Sequence, residues 1–316
     1  MPKTVLVLGA TGGVGRPIAG RLAERGWTVR ALHRNPSLLA TSDPFDWIQG
    51  DALNPTDVAK AAKGVSTIVH AVKPRAYRDW KDAVLPMIDN TIAAARGARI
   101  VLPGNVYNYG PDAGLILDED APQNPRTKKG RLRVEMEARI SRAVDAGSAR
   151  ALIVRAGDFF GPGAGSSWFS EAMVKPGGRP RVVRNPATLG VGHQWVFLPD
   201  LAETFARLID RDDLPNLARY NMDGHWDADG REMAAAIVRA LGEPAVPVKP
   251  LPWGLLTLVA PFSPNLRELV ELRSLWDTPI RLSNRRLVEV LGEEPHTPLD
   301  EAVRQTLAFL QSVPES

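Results

Sequence analysis

The chain has 316 residues, 44% of them hydrophobic and 24% charged, which supplies a full apolar core and excludes a largely disordered polymer. Its 39 basic and 36 acidic residues leave a formal net charge of +3, too balanced for a nucleic-acid footprint. The sequence has no cysteine and only five scattered histidines, so disulfides and thiolate zinc sites are excluded and no metal site is expected.

The first predicted strand, Thr4 to Leu8, follows Met1-Pro2-Lys3 with no apolar leader, which makes the cytoplasm the expected compartment. It runs into Gly9-Ala10-Thr11-Gly12-Gly13-Val14-Gly15 and then a helix-like stretch, Pro17 to Arg25. Strand, glycine turn and helix in this order form a pyrophosphate site of a dinucleotide. Gly9 permits the sharp exit from the strand, Gly12 or Gly13 lets the backbone approach the phosphates, and Gly15 allows tight packing. Thr11 and Val14 lie in the same turn, and free N–H groups at the helix start receive the anion.

A second strand is predicted at Thr28 to Leu32, followed by His33 and Arg34. Proteins that bind NAD place a carboxylate near this point to hold the ribose hydroxyls. Arg34 instead offers a planar cation suited to a 2′-phosphate, which points to NADP, with NAD as the alternative. Further strands are expected at Phe45 to Ile48, Ser66 to Val72, Arg99 to Leu102 and Ala151 to Val154. Between the third and fourth of the six strands, Asn54 caps a helix with Pro55 at its first position and Asp57 in its first turn, and Gly64 closes it. Alternation of this kind predicts an α/β fold with a Rossmann-type, doubly wound parallel sheet. From Phe159 onward Gly and Pro clusters mark a second, smaller C-terminal lobe that shapes a ligand site. Leu251 to Phe262 is too short to span a bilayer and reads as a buried helix or a subunit contact. Leu299 to Leu310 reads as a terminal amphipathic helix.

The spacing Gly9-x-x-Gly12-x-x-Gly15 resembles the extended short-chain dehydrogenase/reductases, the group that includes NAD-dependent epimerases and dehydratases. Gly50-Asp51-Ala52-Leu53 is similar to the family's element beside the adenine, and His70-Ala71-Val72 to the segment passing under the cofactor. Val154-Arg155-Ala156-Gly157-Asp158-Phe159-Phe160-Gly161-Pro162-Gly163 resembles its Leu-Arg-x-x-x-x-Tyr-Gly-Pro-Gly, and Val196 to Ala202 its Val-His-Val-x-Asp-Val-Ala. The resemblance implies a dinucleotide-binding domain over 1–158 with 194–212, a substrate lobe over 159–193 and 213–316, and a homodimer through two long helices including Arg131 to Ala146. Asp51, Ala52, His70, Ala71 and Val72 then join the glycine loop and Arg34 as expected cofactor contacts.

The family's Tyr-x-x-x-Lys is missing. Lys129-Gly130-Arg131-Leu132-Arg133 stands in its place, and Leu102 to Gly110 carries no serine or threonine. The run Lys129 to Glu137 resembles the helix of isoflavone-reductase-like enzymes, whose lysine is the acid/base. At a helix start, with Arg133 one turn later, the ammonium form of Lys129 is disfavoured, which suits proton transfer; a pairing of Glu137 with Arg133 would reduce the effect. Lys129 is therefore expected both to touch the cofactor and to donate a proton. Tyr107 and Tyr109, following the fifth strand, are alternative donors, and Asn105 is a candidate for the missing serine's hydrogen bond. The acidic run Asp118-Glu119-Asp120 reads as a solvated loop, and His193 and Trp195 stand where the chain could face substrate or pack in the core. The leading expectation is an NADP-dependent reductase of a small organic substrate, with no nucleic-acid or membrane partner. The alternatives are a sugar-nucleotide epimerase or dehydratase, and a non-catalytic NmrA-like regulator that only binds the dinucleotide.

Overall fold

A computed structural model describes residues 3–39, 43–74, 80–165, 167–242 and 246–313. The chain divides into two compact units, the first formed by 1–104, 128–155 and 202–220 and the second by 105–127, 156–201 and 221–316.

The first unit begins with β1 (Thr4–Leu8), α1 (Gly15–Glu24), β2 (Thr28–His33), β3 (Asp46–Gln49), α2 (Pro55–Ala61), β4 (Thr67–His70), α3 (Trp80–Ala95) and β5 (Arg99–Pro103). After β6 (Ile116–Leu117), which belongs to the second unit, it continues with α4 (Lys128–Asp145) and β7 (Arg150–Arg155). Its sheet has the order β3-β2-β1-β4-β5-β7, and these neighbours all pair in parallel. Every residue of β1 is buried, as a central strand covered by helices on both faces requires. α1 turns Ile18, Ala19 and Leu22 inward. Asn54 caps α2 as its sequence predicts, its side chain accepting from the Thr56 and Asp57 amides, but the helix stops at Ala61 and Gly64 (φ 75°) makes the turn beyond it.

The second unit contains β8 (Asp158–Phe160), β9 (Val183–Asn185), β10 (His193–Phe197) and the start of α5 (Leu198–Ile209), whose later turns pack in the first unit. After β11 (Leu217–Asn221) come β12 (His225–Asp227), α6 (Glu232–Leu241), β13 (Val248–Pro250), α7 (Trp253–Val259), α8 (Pro264–Glu271), β14 (Arg281–Leu282), α9 (Arg285–Leu291) and α10 (Leu299–Ser312). β11 is a seventh strand on the large sheet beside β7, and the six-strand reading missed it. Its sequence, Leu-Ala-Arg-Tyr-Asn, lacks the β-branched run that marks the inner strands, because an edge strand is paired on one side only.

The units divide the chain differently from the sequence reading. Residues 105–127, 156–158 and 194–201 pack in the second unit, the last two because β10 pairs with β8 and β12, while 213–220 joins the first through β11. Leu251 to Phe262 is not a buried helix: α7 buries none of its residues, and Leu255, Leu258 and Phe262 are exposed. The terminal helix α10 packs on α6, with Arg239 bonded to Asp300. Among the described residues no helix is long and apolar enough to cross a membrane.

Candidate functional site

The glycine loop is shaped by backbone contacts. Gly9 has φ 92°, and a Cβ there would lie 2.6 Å from the carbonyl oxygen of Ala71, beyond the end of β4. A Cβ on Gly15 would come within 2.2 Å of Gly9's own carbonyl oxygen, so Gly15 serves the closure of the loop as much as the helix–strand packing. Gly12 differs: its Cβ would meet nothing nearer than the Gly9 carbonyl oxygen, at 3.2 Å. The loop is held by the Gly12 amide donating to Gly9 at 2.9 Å and the Arg16 amide donating to Gly12 at 3.0 Å. α1 has no side-chain cap and no acidic residue in its first turn. A backbone cradle open at Gly12, at a helix start without a carboxylate, fits a pyrophosphate.

The other expected cofactor contacts lie on the same unit. Arg34 is exposed just past β2. Asp51 is half-buried; Oδ1 accepts from the Leu53 amide at 3.0 Å, a local turn bond. Ala52 is buried with Ala83 and Met87, while Thr11 is exposed and Gly13, Val14, Ala71 and Val72 are half-buried. His70 is almost wholly buried, with Nδ1 2.8 Å from the Thr91 hydroxyl. Burial, and secondarily the positive charge of Arg133, push its pKa down to about 3, so the ring is neutral at physiological pH.

Lys129 is 4% exposed in the first turn of α4. Arg133, one turn further along, is near enough to act on His70, the last residue of the strand that leads to Gly9's neighbour Ala71. Glu137, the next turn on, grips Arg155: Nη2 lies 2.6 Å from Oε2 and Nε 3.1 Å from Oε1, both side chains being buried. The forked bond to Arg155 on β7 engages both carboxylate oxygens. Gly104 makes room for it, since a Cβ there would lie 2.8 Å from Arg155 Cγ.

The remaining candidates lie in the second unit. Asn105 Oδ1 accepts from the Tyr107 amide at 3.0 Å, capping the short turn that follows β5. Tyr109 is 3% exposed within an apolar cluster that includes Phe160 and Trp195. Tyr107 is half-buried, and its hydroxyl donates to Asp158 Oδ1 at 3.3 Å. The other oxygen of Asp158 lies 2.9 Å from Nε2 of His193. Asp158 was not among the expected site residues, although it stands in a segment carrying the family resemblance; His193, expected either to face substrate or to pack in the core, is buried against it. Glu119, expected in solvent, is 1% exposed and accepts from the Asn221 amide at 2.8 Å. Among the described residues no cluster of potential ligands could hold a metal ion.

A parallel sheet with a glycine-rich turn opening its first helix defines a dinucleotide-binding α/β protein. The model described as the NAD dependent epimerase/dehydratase family matches residues 5–222, and the chain belongs to that family, as the motif resemblance implied. It is 29% identical over 177 residues to a 3-diazoavenalumate denitrifying reductase of Streptomyces sp, a match covering 51% of this chain and 58% of that protein. It is equally similar, over 51% of this chain and 54% of the relative, to the dTDP-6-deoxy-L-talose 4-dehydrogenase (NAD(P)(+)) of Kitasatospora kifunensis. The match thus spans little more than half the length of these curated relatives. UDP-glucose 4-epimerase from Bifidobacterium longum, solved with NAD+ and UDP, shares the fold with a TM-score of 0.74 at 17% identity, covering 97% of this chain and 98% of that one. WbmH from Bordetella bronchiseptica, solved with NAD+, gives 0.72 at 19% identity over 99% of both chains.

Proposed function

We propose that the protein is an NADP-dependent reductase of a small organic substrate, with Lys129 as the proton donor. The observation that carries this reading is the placement of Lys129. It is buried in the first turn of α4, one turn from Arg133, which acts on His70 at the end of β4, and the next residue, Ala71, is packed against Gly9. The lysine thus lies on the same unit as the glycine loop, and the sequence resemblance implies that it takes the place of the family's tyrosine. Gly9 to Gly15 bind the pyrophosphate through their amides, with Asp51 and Ala52 beside the adenine and His70 to Val72 beneath the cofactor. Arg34 receives the 2′-phosphate, and its exposure past β2 leaves the guanidinium available for a forked bond. The dinucleotide supplies the hydride when bound; the protein supplies orientation and the proton. One of the similar curated proteins is a reductase, which supports the direction of the reaction. The protein is proposed to work in the cytoplasm as a homodimer.

The Tyr107–Asp158 bond favours a second reading, a sugar-nucleotide epimerase or dehydratase in which Tyr107 handles the proton and the cofactor is reoxidised within each turnover. Net consumption of NADPH separates the two. Calorimetry with NADPH and NADH, followed by a screen of carbonyl compounds for NADPH oxidation, tests the main reading. We expect tighter binding of NADPH, and in Lys129→Met a cofactor affinity within a few-fold of wild type but no reduction. Preferential binding of NADH would refute the NADP assignment, and undiminished reduction in Lys129→Met would remove this lysine from the mechanism.

A further inference from the structure

In the second unit α7 has two apolar faces, and one of them points to solvent. Trp253 anchors the inner face: its ring meets Trp168 at 6.0 Å between centroids, and Nε1 donates to the Pro186 carbonyl at 2.9 Å. Ala260, two turns on, is buried on the same side. Leu255, Leu258, Val259 and Phe262 form the outer face, at the spacing i, i+3, i+4 and i+7 that makes one stripe of a helix. On a surface helix such a stripe ordinarily turns toward the core. Here it is exposed throughout, from 39% at Val259 to 88% at Phe262. Single apolar side chains on a surface are ordinary, whereas a contiguous stripe marks a contact. Residues 250–266 contain no ionisable side chain, so no charge interrupts it.

Cations close this segment at either end. Lys249 is exposed on β13, in register with Arg184 of β9. Arg267 is exposed on α8, and its Nη2 donates to the carbonyl of Pro261, the neighbour of Phe262, at 3.1 Å. Arg273 lies over the Trp253 ring at 5.7 Å and is shared with Asp277 at 3.7 Å. An apolar stripe rimmed by Lys and Arg matches the boundary between acyl chains and negatively charged headgroups. A second copy of the chain matches it less well. A stable protein interface takes roughly 20–30 residues and about 800 Å² from each partner, against four side chains here, and extending the contact would set one cationic rim against another. We propose that α7 and the turn after it, Ala260–Phe262, dock the protein on a membrane surface rich in anionic lipid. Leu255, Leu258, Val259 and Phe262 enter the acyl boundary, and Lys249 and Arg267 meet the phosphates. Such a contact lies in the plane of the interface and needs no spanning helix. It departs from the expectation, drawn from the sequence, that no membrane takes part, and it is independent of the reaction proposed above.

Flotation with vesicles of phosphatidylcholine and phosphatidylglycerol in equal parts, and with vesicles of phosphatidylcholine alone, tests the docking. The wild-type protein should rise with the anionic vesicles and be released by added salt, which screens the cations. Leu258→Glu with Phe262→Glu should lower the partition coefficient at least tenfold; both side chains stand in solvent, so the melting temperature should not change. Lys249→Ser with Arg267→Gln should weaken binding to the anionic vesicles by about fivefold for each cation removed, with little change on phosphatidylcholine alone. Wild-type protein that stays at the bottom of the gradient, or a Leu258→Glu, Phe262→Glu variant that floats as well as wild type, overturns the proposal. So does a face that joins two copies: light scattering would then find a wild-type dimer and a monomeric double variant, with no vesicle binding by either.

Discussion

Three glycines in one loop do different things, and side-chain additions separate them. At Gly15 a methyl group would fall 2.2 Å from a carbonyl oxygen of the same loop, so Gly15→Ala forces the backbone apart. Overpacking of this kind costs about 1–3 kcal/mol, and a lowered melting temperature should accompany lost cofactor binding. At Gly12 the neighbouring oxygen stands at 3.2 Å, a contact the loop relieves by a small shift. Gly12→Val should therefore leave the melting temperature within a few degrees of wild type while weakening NADPH binding at least tenfold, because the side chain occupies the approach to the phosphates. Calorimetry and thermal melts on the two variants check the contrast; equal loss of stability in both would remove Gly12 from the binding surface. This loop was legible in the sequence because its shape depends on spacing within seven consecutive residues. The Tyr107–Asp158–His193 group was not, because its partners are separated by 51 and 35 residues and only the fold joins them.

The same distinction applies to elements. The inner strands could be placed from sequence because each is a buried apolar run; β3, at one edge, was found as a short segment with Trp47 and Ile48, whereas β11, at the other, reads Leu-Ala-Arg-Tyr-Asn and has no β-branched residue to mark it. α4 carries more than a hydrophobic stripe: its first turn bears Lys129, and two turns later Glu137 fixes the helix to β7 through Arg155. Breaking a buried pair from one side strands a charge. Glu137→Ala should cost about 3–5 kcal/mol in urea unfolding, whereas the double variant Glu137→Leu with Arg155→Met should lie closer to wild type, since neither charge is then left alone. A single variant as stable as wild type would mean that water or another group already compensates Arg155. The pair was invisible in the sequence because its members lie 18 residues apart on different elements and only the fold brings β7 against α4.

At the scale of the molecule, buried neutral histidines in both units make acid stability a prediction with a definite sign. His70 has a folded pKa of about 3, lowered chiefly by burial and then by Arg133, against an ordinary value of 6.5. His225 in the second unit is held down to about 4, again by burial first and by His296 second. Between pH 6.5 and these folded values the unfolded chain takes up protons that the folded protein refuses. The stability associated with both rings is therefore complete above pH 6.5 and is lost as the pH falls. Each such group contributes a slope of up to about 1.4 kcal/mol per pH unit, a ceiling that the fully buried His70 approaches. Burial raises the pKa of the Glu294 carboxyl, with the Gly224 and Asp223 amides opposing, and this works in the other sense, adding stability as the pH drops through the carboxylate range. The histidine effect acts from pH 6.5 downward and overlaps that of Glu294, so it is read as the difference between wild type and a His70 variant. Urea unfolding at half-unit intervals should show stability falling there, and His70→Asn, which can keep a hydrogen bond to Thr91, should flatten the slope by about 1 kcal/mol per pH unit. An unchanged slope in that variant would mean that His70 accepts a proton in the folded protein, and that Arg133 lies too far away to keep it neutral.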